Sequence, residues 1–206
     1  KIGIEGCEHA IESKSKKTTR YVVKNAKLFN SRRADFAPMY LDNKYDQLYF
    51  TSTTEKAMGD NKSEITGMKK GDIYVAKKDE QGVWQRPEPV EGELNSDLDE
   101  GIVSFTPDGQ TMYLTKARRE PNSSTSVEIY TSQRSEAQWS APVKYEIISD
   151  TISAVGHPAV SPDGKWLYFC SDMPGGYGGK DIWKVNLVDK VGSLENLGPD
   201  INTPGD

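Results

Sequence analysis

The sequence predicts an all-β protein, a β-propeller of four-stranded antiparallel blades, with about three blades in this chain of 206 residues. Two observations predict it: a unit of three strands and a fixed turn occurs three times, and a weaker fourth strand follows each unit. One four-stranded blade cannot cover both of its apolar faces, so like units must stack around an axis. We therefore expect these blades to form part of a larger ring.

The clearest copy of the unit spans 157–183. Its S-P-D-G segment, 161–164, suits a type I turn, because proline fixes φ at the second position and glycine fits the fourth. The apolar run 166–170 follows as a strand, and a glycine-laden loop, 175–179, leads to a third strand at 181–185. An unbroken apolar run is typical of a strand in a sheet that is covered on both faces.

Two earlier copies repeat this unit. T-P-D-G recurs at 106–109, while the first copy has a weaker turn at 42–44 and a longer loop at 53–70. The second strands carry aromatic residues at matching places, namely Tyr49, Tyr113 and Tyr168. The third strands do the same with Tyr74, Tyr130 and Trp183, and the fourth strands are predicted at 83–87, 138–142 and 194–197. In a β-sandwich, where any likeness between segments would arise by chance, the same turn and aromatic positions would not recur in the same order.

The repeat divides the chain. Residues 1–20 read as the end of a preceding helical region plus a basic linker, and residues 21–206 as a propeller segment. Within that segment we predict an outer strand at 21–30, blades at 31–92, 93–148 and 149–198, and the approach to a next blade at 199–206. An Asn-Ser or Asn-Thr pair precedes an acidic residue at each transition, namely Asp35, Asp99 and Asp206. We expect the natural polypeptide to continue, so that the strand at 21–30 pairs with the last blade.

Composition excludes several function classes. The net charge of −5 gives no general attraction to nucleic acid or acidic lipid, and no apolar run approaches the roughly 18–20 residues that span a bilayer. We therefore expect no nucleic-acid partner and no membrane insertion. Cys7 and Cys170 lie far apart and form no metal-binding motif; for Cys170 a buried, inert thiol is favoured over a disulfide.

Residues with catalytic chemistry are sparse. His157 stands at the start of an inner strand, where a structural hydrogen bond is favoured over catalysis. Ser161 lacks the G-x-S-x-G elbow of a nucleophile, and the loop 175–179 lacks the lysine and the helix of a phosphate site. Asp172 and Asp181 could bind calcium, although two carboxylates fall short of its six to eight oxygens, so backbone hydrogen bonding is favoured. We predict no catalytic residue, no cofactor and no metal.

The S-P-D-G turn, the L-Y-F strand and the G-G-Y-G-G-K-D-I-W segment resemble the TolB-type Pro-Asp propeller repeat. The longer form with its Asn-Thr or Asn-Ser linker is similar to the propeller of Bacteroidetes envelope proteins, which combine tetratricopeptide repeats, a propeller and a peptidoglycan-binding OmpA-like domain. Among these envelope proteins, the sequence pattern most resembles that of a component of the type IX secretion system. The resemblance covers nearly the whole chain, but the first blade lacks Pro-Asp-Gly and the second lacks the glycine-rich loop, so it implies no ligand site repeated around the ring.

The resemblance implies a non-catalytic scaffold, periplasmic and associated with the outer membrane, which binds other envelope or secretion-system proteins. It would reach peptidoglycan only through a domain outside this chain, and self-association is a further option if the ring stays incomplete. The alternative is a glycan-active or peptidase-associated propeller domain. Since loops between second and third strands and between blades should emerge together, the candidate partner-binding residues are Arg32, Arg33, Asp99, Arg118, Arg119 and Tyr177.

Overall fold

The computed structural model describes residues 2–15, 20–60, 62, 67–119, 125–148, 153–189 and 193–205. One helix, α1 (Ile2–Ser15), precedes the strands, which are β1 (Asp35–Tyr40), β2 (Gln47–Ser52), β3 (Asp72–Lys77), β4 (Glu88–Pro89), β5 (Glu100–Phe105), β6 (Thr111–Arg119), β7 (Thr125–Ser135), β8 (Gln138–Trp139), β9 (Val143–Lys144), β10 (Val155–Val160), β11 (Trp166–Ser171), β12 (Asp181–Asn186) and β13 (Glu195–Asn196). The helix confirms the helical start of the chain. It contacts no strand within the described residues.

The strands form three antiparallel sheets, and each sheet lies inside one predicted blade. The first has the order β1-β2-β3-β4 and the third the order β10-β11-β12-β13. In the second, β5-β6-β7 is followed by β9 in the fourth-strand place, while β8 extends β7 as a hairpin. The prediction of an all-β fold built from repeated antiparallel units is confirmed.

The register shows that the repeated aromatic residues are structurally equivalent. Residues Phe50, Leu114 and Phe169 stand opposite Tyr74, Tyr130 and Trp183 in their respective sheets. The tyrosines Tyr49, Tyr113 and Tyr168 each precede that position by one residue. They therefore point to the other face of the sheet, because successive strand side chains alternate.

Consecutive sheets pack face to face. The face that carries Tyr49, here called the forward face of its blade, lies against the face of the next blade that carries Leu114, here called the rear face. The same arrangement recurs between the forward face of the second blade, with Tyr113, and the rear face of the third, with Phe169. Their fully buried members are Ile73, Leu94, Met112, Leu114, Ile129, Leu167 and Phe169. Burial of this apolar surface between blades is the main source of stability.

The first strand of each sheet, its inner strand, carries a bulge that the sequence does not reveal. Ala37, Ile102 and His157 have φ of 53°, 48° and 58°, and the pairing register of each strand shifts there. Positive φ is uncommon outside glycine and costs roughly 1–3 kcal/mol, so the surroundings must fix it.

Threonines of the preceding blade stabilise two of these bulges through hydrogen bonds. The amide of Ile102 donates to Thr51 Oγ1 at 3.1 Å, and the amide of His157 donates to Thr115 Oγ1 at 2.9 Å. Gly101 lets the chains approach, because a Cβ there would lie 2.3 Å from Thr51 Oγ1. Position 170 is the third-blade equivalent of the two threonines and carries a cysteine.

The predicted outer strand at 21–30 has no partner strand among the described residues, and Val23 is 96% exposed. A strand needs a neighbouring chain for its backbone hydrogen bonds, and none of the described residues supplies one here. Its predicted partner is the last blade of a larger ring, which the three described sheets do not include, so this strand stays a prediction.

The predicted fourth strands of the first two blades are wrong in position. They lie at Glu88–Pro89 rather than 83–87 and at Val143–Lys144 rather than 138–142. Trp84 forms only an isolated bridge to Lys78, and Trp139 pairs only with the end of β7.

Neither cysteine forms a disulfide within the described residues. Cys7 is free and exposed, and Cys170 is free and half-buried, where burial raises the pKa of its thiol. No helix in the described part of the chain is long and apolar enough to cross a membrane. Lys16 and Lys17 of the predicted basic linker and Asp206 of the last predicted transition lie outside the described residues.

Candidate functional site

One end of the three sheets collects the long connections. In every blade the first strand begins, the second ends and the third begins at this end, as the pairs Asp35↔Ser52, Glu100↔Lys116 and Val155↔Ser171 show. We call it the loop end, and the opposite end, with the Ser-Pro-Asp-Gly turns, the turn end. The connections after the second strands and the linkers between blades therefore emerge together, as the strand order predicts.

Arg32 and Arg33 lie at the loop end in the linker before the first blade. Arg33 forms an ion pair with Glu55 from the loop after β2, and the hydrogen bond between them lowers the pKa of the Glu55 carboxyl. Arg32 is exposed and pairs with no carboxylate among the described residues. An exposed guanidinium with its five donors is well suited to a partner carboxylate.

Arg118 and Arg119 are strand residues rather than loop residues, which corrects their predicted placement. Both belong to β6, and Arg118 pairs in register with Ser126. The Arg118 guanidinium binds the buried Glu128, which Lys144 also contacts at 2.8 Å. Burial opposes ionisation of Glu128, but these two cations outweigh it and lower the pKa of that carboxyl. Arg118 is thus engaged within its own blade, and the side chain of Arg119 lies outside the described residues.

Asp99 and Tyr177 also lie at the loop end, in different blades. Asp99 is exposed and accepts a hydrogen bond from the amide of Gly71 at 2.8 Å, so it ties the linker of the second blade to the first. Tyr177 is 50% exposed, and its amide donates to Asp181. The loop end therefore presents Arg32, Arg33, Asp99 and Tyr177 to solvent, whereas Arg118 stays inside its sheet.

Buried carboxylates anchor the loops that follow the second strands of the first and third blades. Asp72 and Asp181 occupy the same place, the first residue of the third strand, and are 0% and 2% exposed. Asp72 accepts from the amide of Met58 at 2.6 Å, as Asp181 does from Tyr177. Burial raises the pKa of Asp72 to about 6; the carboxylate of Glu100 acts in the same direction, and the Met58 amide acts against it. One oxygen of each carboxyl group, Oδ1, has no hydrogen-bond partner within the described part of the chain.

Asparagines of the linkers also pair with the third strands, a role the sequence did not reveal. Asn95 accepts from the amide of Ile73 at 2.7 Å and donates to its carbonyl at 3.1 Å, and Asn202 does the same with Ile182 at 2.8 and 3.0 Å. The recurrence of Asn-Ser and Asn-Thr is the signal that could have found them. The acidic partner in this motif is Glu100 rather than Asp99, because Glu100 accepts from the amide of Ser96.

Residues considered for catalysis or metal binding have structural contacts. Ser161 closes its turn through the amide of Trp166 at 2.9 Å, and its hydroxyl hydrogen-bonds Asp163, which lowers the pKa of that carboxyl. Asp172 accepts from the amide of Ala154 at 2.8 Å. Asp172 and Asp181 thus make the backbone hydrogen bonds that the sequence favoured over calcium. The amide of His157, not its exposed ring, makes the structural hydrogen bond.

A groove of about 660 Å³ lies on the rear face of the first blade, under the linker that carries Arg32 and Arg33. Its apolar lining comes from the stacked rings of Phe50 and Tyr74, 6.1 Å apart, and from Leu28, Phe29 and Pro87. Arg32, Arg33 and Lys56 stand on its rim beside Asp35 and Glu55. The groove combines an apolar floor with charged edges, as ligand and peptide sites do.

Comparison with known proteins supports the fold. No protein-family model and no curated protein matches the chain. Among solved structures, the chain is similar to TolB from Acinetobacter baumannii, with 19% identity and a TM-score of 0.50 over 85% of this chain and 35% of TolB. It is also similar to a thermostable family-43 glycoside hydrolase, with 18% identity and a TM-score of 0.46 over 88% of this chain and 63% of the hydrolase. The chain thus spans about a third of TolB, and this likeness establishes a β-propeller-like fold.

Proposed function

We propose that this chain is a non-catalytic β-propeller scaffold that binds other proteins in the bacterial envelope, within a secretion or motility complex. It is periplasmic and associated with the outer membrane, and a domain outside this chain anchors the complex to peptidoglycan. The TolB-like fold and the resemblance of the Pro-Asp repeat to Bacteroidetes envelope propellers support this class of function. A fold alone does not specify a function, so the surface must carry the argument.

The observation that carries the proposal is the construction of the loop end. Buried carboxylates fix two loops there, Asp72 the loop after β2 and Asp181 the loop after β11, which presents Tyr177 to solvent. The exposed Arg33 of the neighbouring linker pairs with Glu55 of the loop after β2. A fixed loop loses little conformational entropy on binding, which favours recognition of a partner surface. Arginine and tyrosine are also the side chains that protein interfaces favour. The buried carboxylates hold loops in place, a structural role rather than acid–base catalysis.

A capture experiment tests the proposal. The purified chain is immobilised and exposed to an envelope extract from a Bacteroidetes species that uses type IX secretion, and retained proteins are quantified by mass spectrometry. The variant Arg33→Glu/Tyr177→Ser changes the loop end. The matched variant Lys44→Glu/Tyr45→Ser makes the same chemical changes on exposed residues of the turn end.

We expect the wild type and the turn-end variant to retain the same envelope proteins, and the loop-end variant to retain at least tenfold less. Equal retention by the two variants would place recognition elsewhere. Saturable turnover of a glycan or peptide, lost on Asp72→Asn with the fold intact, would instead support the enzyme-associated alternative.

A further inference from the structure

A groove of about 780 Å³ lies between the first two blades on their outer side, where the third and fourth strands of the first blade meet the β7–β8 hairpin of the second. We propose that it binds short peptides that carry a free amino group, a free carboxylate and an apolar side chain. Its two walls belong to blades that are packed against each other, so both walls are complete within the described chain. Arg33 and Tyr177 of the loop end do not line it, which makes it a separate site from the proposed protein-binding surface.

The first wall is the outer part of the forward face of the first blade. Val75 pairs in register with Tyr49 on one side and with Glu88 on the other, so all three side chains lie on this face. Lys77 follows on the same face two residues later. Tyr49 is 3% exposed, Val75 is half-buried, and the two charged side chains are exposed. The wall therefore passes from a closed apolar base to a charged mouth.

The second wall is the β7–β8 hairpin of the second blade, of which Ala137, Gln138 and Trp139 line the groove. Its two-residue turn has φ of 49° at Glu136 and 69° at Ala137, the pair of positive values that a type I′ turn requires. The indole of Trp139 donates to the hydroxyl of Tyr49 at 3.1 Å and so joins the two walls at the base. A groove with walls fixed in this way loses little conformational entropy when a ligand binds.

The size of the groove follows from the residue after the fourth strand. In the first blade this residue is Val90 and in the second Tyr145, and each amide donates to the equivalent third-strand carbonyl at 2.9 Å. The ring of Tyr145 packs edge-on against Tyr113, with ring centres 5.3 Å apart, and occupies the space between the second and third blades. The smaller Val90 does not fill the space beside Tyr49, and both residues border the groove.

Charges of both signs line the mouth. Two cations and two carboxylates are exposed there, namely Lys77, Arg86, Glu88 and Glu91. None of the four forms an ion pair within the described residues. The repeat does not require them, because the second-blade equivalent of Lys77 is Gln133. That of Glu88 is Val143.

A zwitterionic ligand complements this set of charges. A ligand of a single charge would leave the groove side chains of one sign unpaired, whereas a peptide offers a carboxylate to the cations and an ammonium group to the acids. The planar guanidinium of Arg86 suits a carboxylate in particular. An apolar side chain between the two charged ends would pack on Val75 and Pro89, which are half-buried in the wall.

Size and aromatic burial narrow the ligand further. The volume lies within the roughly 300–1,000 Å³ of typical binding clefts and suits a peptide of a few residues. Trp139 is 8% exposed and therefore offers no open ring face on which a sugar could stack. These features favour a short peptide over a glycan.

An NMR titration of the full ¹⁵N-labelled chain tests this inference. The probe is the tripeptide Ala-Leu-Ala, and the signals followed are the Trp139 indole and the Gly92 amide, which belong to residues that line the groove. Three forms of the same peptide serve as controls: N-acetylated, C-terminally amidated, and capped at both ends. Maltotriose represents a neutral glycan.

We expect Ala-Leu-Ala to shift both signals saturably. Each single cap should weaken binding about fivefold and the double cap about twentyfold, because each removes one charged contact. No saturation, or equal binding of the doubly capped peptide, would overturn the inference. So would saturable shifts of the same signals by maltotriose, which would assign the groove to a glycan.

Protein variants locate the binding. Lys77→Gln/Arg86→Gln removes the cations of the groove, and Lys44→Gln/Lys165→Gln makes a matched change at the turn end. We expect the former to weaken binding about tenfold and the latter to leave it unchanged. Val90→Tyr places in the groove the residue found at the equivalent position of the second blade, and should abolish binding while all four charges remain.

Equal loss in the two charge variants would overturn the inference, as would full binding by a folded Val90→Tyr variant. The dispersion of the amide spectrum shows whether each variant is folded, and if Val90→Tyr is not, the two charge variants decide. The capture of envelope proteins depends on Arg33 and Tyr177, which lie outside the groove. A failure of peptide binding therefore leaves the proposed function standing, and a failure of capture leaves the groove site standing.

Discussion

The rear faces of the first and second blades carry the same aromatic arrangement under different covers. On the second blade, Trp139 is 8% exposed under Tyr49 of the preceding sheet. On the first blade, Trp84 is half-buried under Phe29 of the linker. The difference teaches that the repeat specifies each sheet face, while the neighbour determines how much of that face contributes to stability.

The largest expected effect on stability comes from a comparison of two equivalent leucines. Leu167 is 0% exposed at the closed interface of the third blade, whereas Leu48 holds the same place on the open face of the first and is half-buried. We expect Leu167→Ala to lower the free energy of unfolding by about 3–4 kcal/mol and Leu48→Ala by about 1–2 kcal/mol, because only the former creates a closed cavity. Urea unfolding of both variants measures this. Equal losses would refute the distinction between closed and open faces.

The second test concerns the buried carboxyl group of Asp72, beside the closed interface. Its folded-state pKa of about 6 lies above the ordinary 3.8, so its stabilising contribution is complete below about pH 4 and is lost as the pH rises through 6. Asp72→Asn should therefore raise the free energy of unfolding at pH 7.5 by up to about 2–3 kcal/mol and change it little at pH 4. Urea unfolding curves of the wild type and the variant at the two pH values measure this difference. A gain at pH 4 alone would contradict the sign.

The third test compares two closed interfaces. A Cβ at Gly101 would lie 2.3 Å from Thr51 Oγ1, whereas one at Gly156 would lie 3.2 Å from Thr115 Cγ2. Gly101→Ala should cost about 2 kcal/mol through overpacking, and Gly156→Ala should cost less. Adding Thr51→Ala to Gly101→Ala should restore part of the loss. A double-mutant cycle by urea unfolding measures this coupling, and strict additivity would show that Thr51 is not the obstacle.

The smallest effect is expected at the linker. Phe29→Ala removes the edge-on contact with Trp84, and an aromatic pair of this kind contributes about 0.5–1.5 kcal/mol. We expect the free energy of unfolding to fall by about 1 kcal/mol. The tryptophan fluorescence should shift to longer wavelength, because Trp84 loses part of its cover. Tyr49→Ala, at the equivalent contact with Trp139, should cost more. An equal loss in both variants would mean that the linker covers its face as well as a blade does.

Much of the fold was predictable because the repeat fixes both strands and turns. The T-P-D-G and S-P-D-G turns fold as predicted, with Gly109 and Gly164 at positive φ. The outer strand at 21–30 was not predictable in the same way, since apolar residues such as Val22 and Val23 form a strand only beside a partner. The strand at 21–30 therefore stays a prediction that depends on a partner blade outside the described residues.

The candidate site was harder to predict, because its main features depend on contacts between blades. Nothing in the residue types of Ala37, Ile102 or His157 indicates positive φ; threonines of the preceding blade hold the last two in place. Likewise, the burial of Asp72 depends on the loop that folds back over it through Met58. The sequence could place Arg33 and Tyr177 at one end of the sheets because strand order alone determines that.

Amide hydrogen exchange at the three inner-strand bulges tests most directly whether these sheets pack as successive blades. Ile102 and His157 donate to threonines of the preceding blade, whereas Ala37, at the same place in the first blade, has no preceding threonine in the described chain. We predict slow exchange by NMR at Ile102 and His157 and fast exchange at Ala37. Similar exchange at all three amides would contradict the packing of blade upon blade.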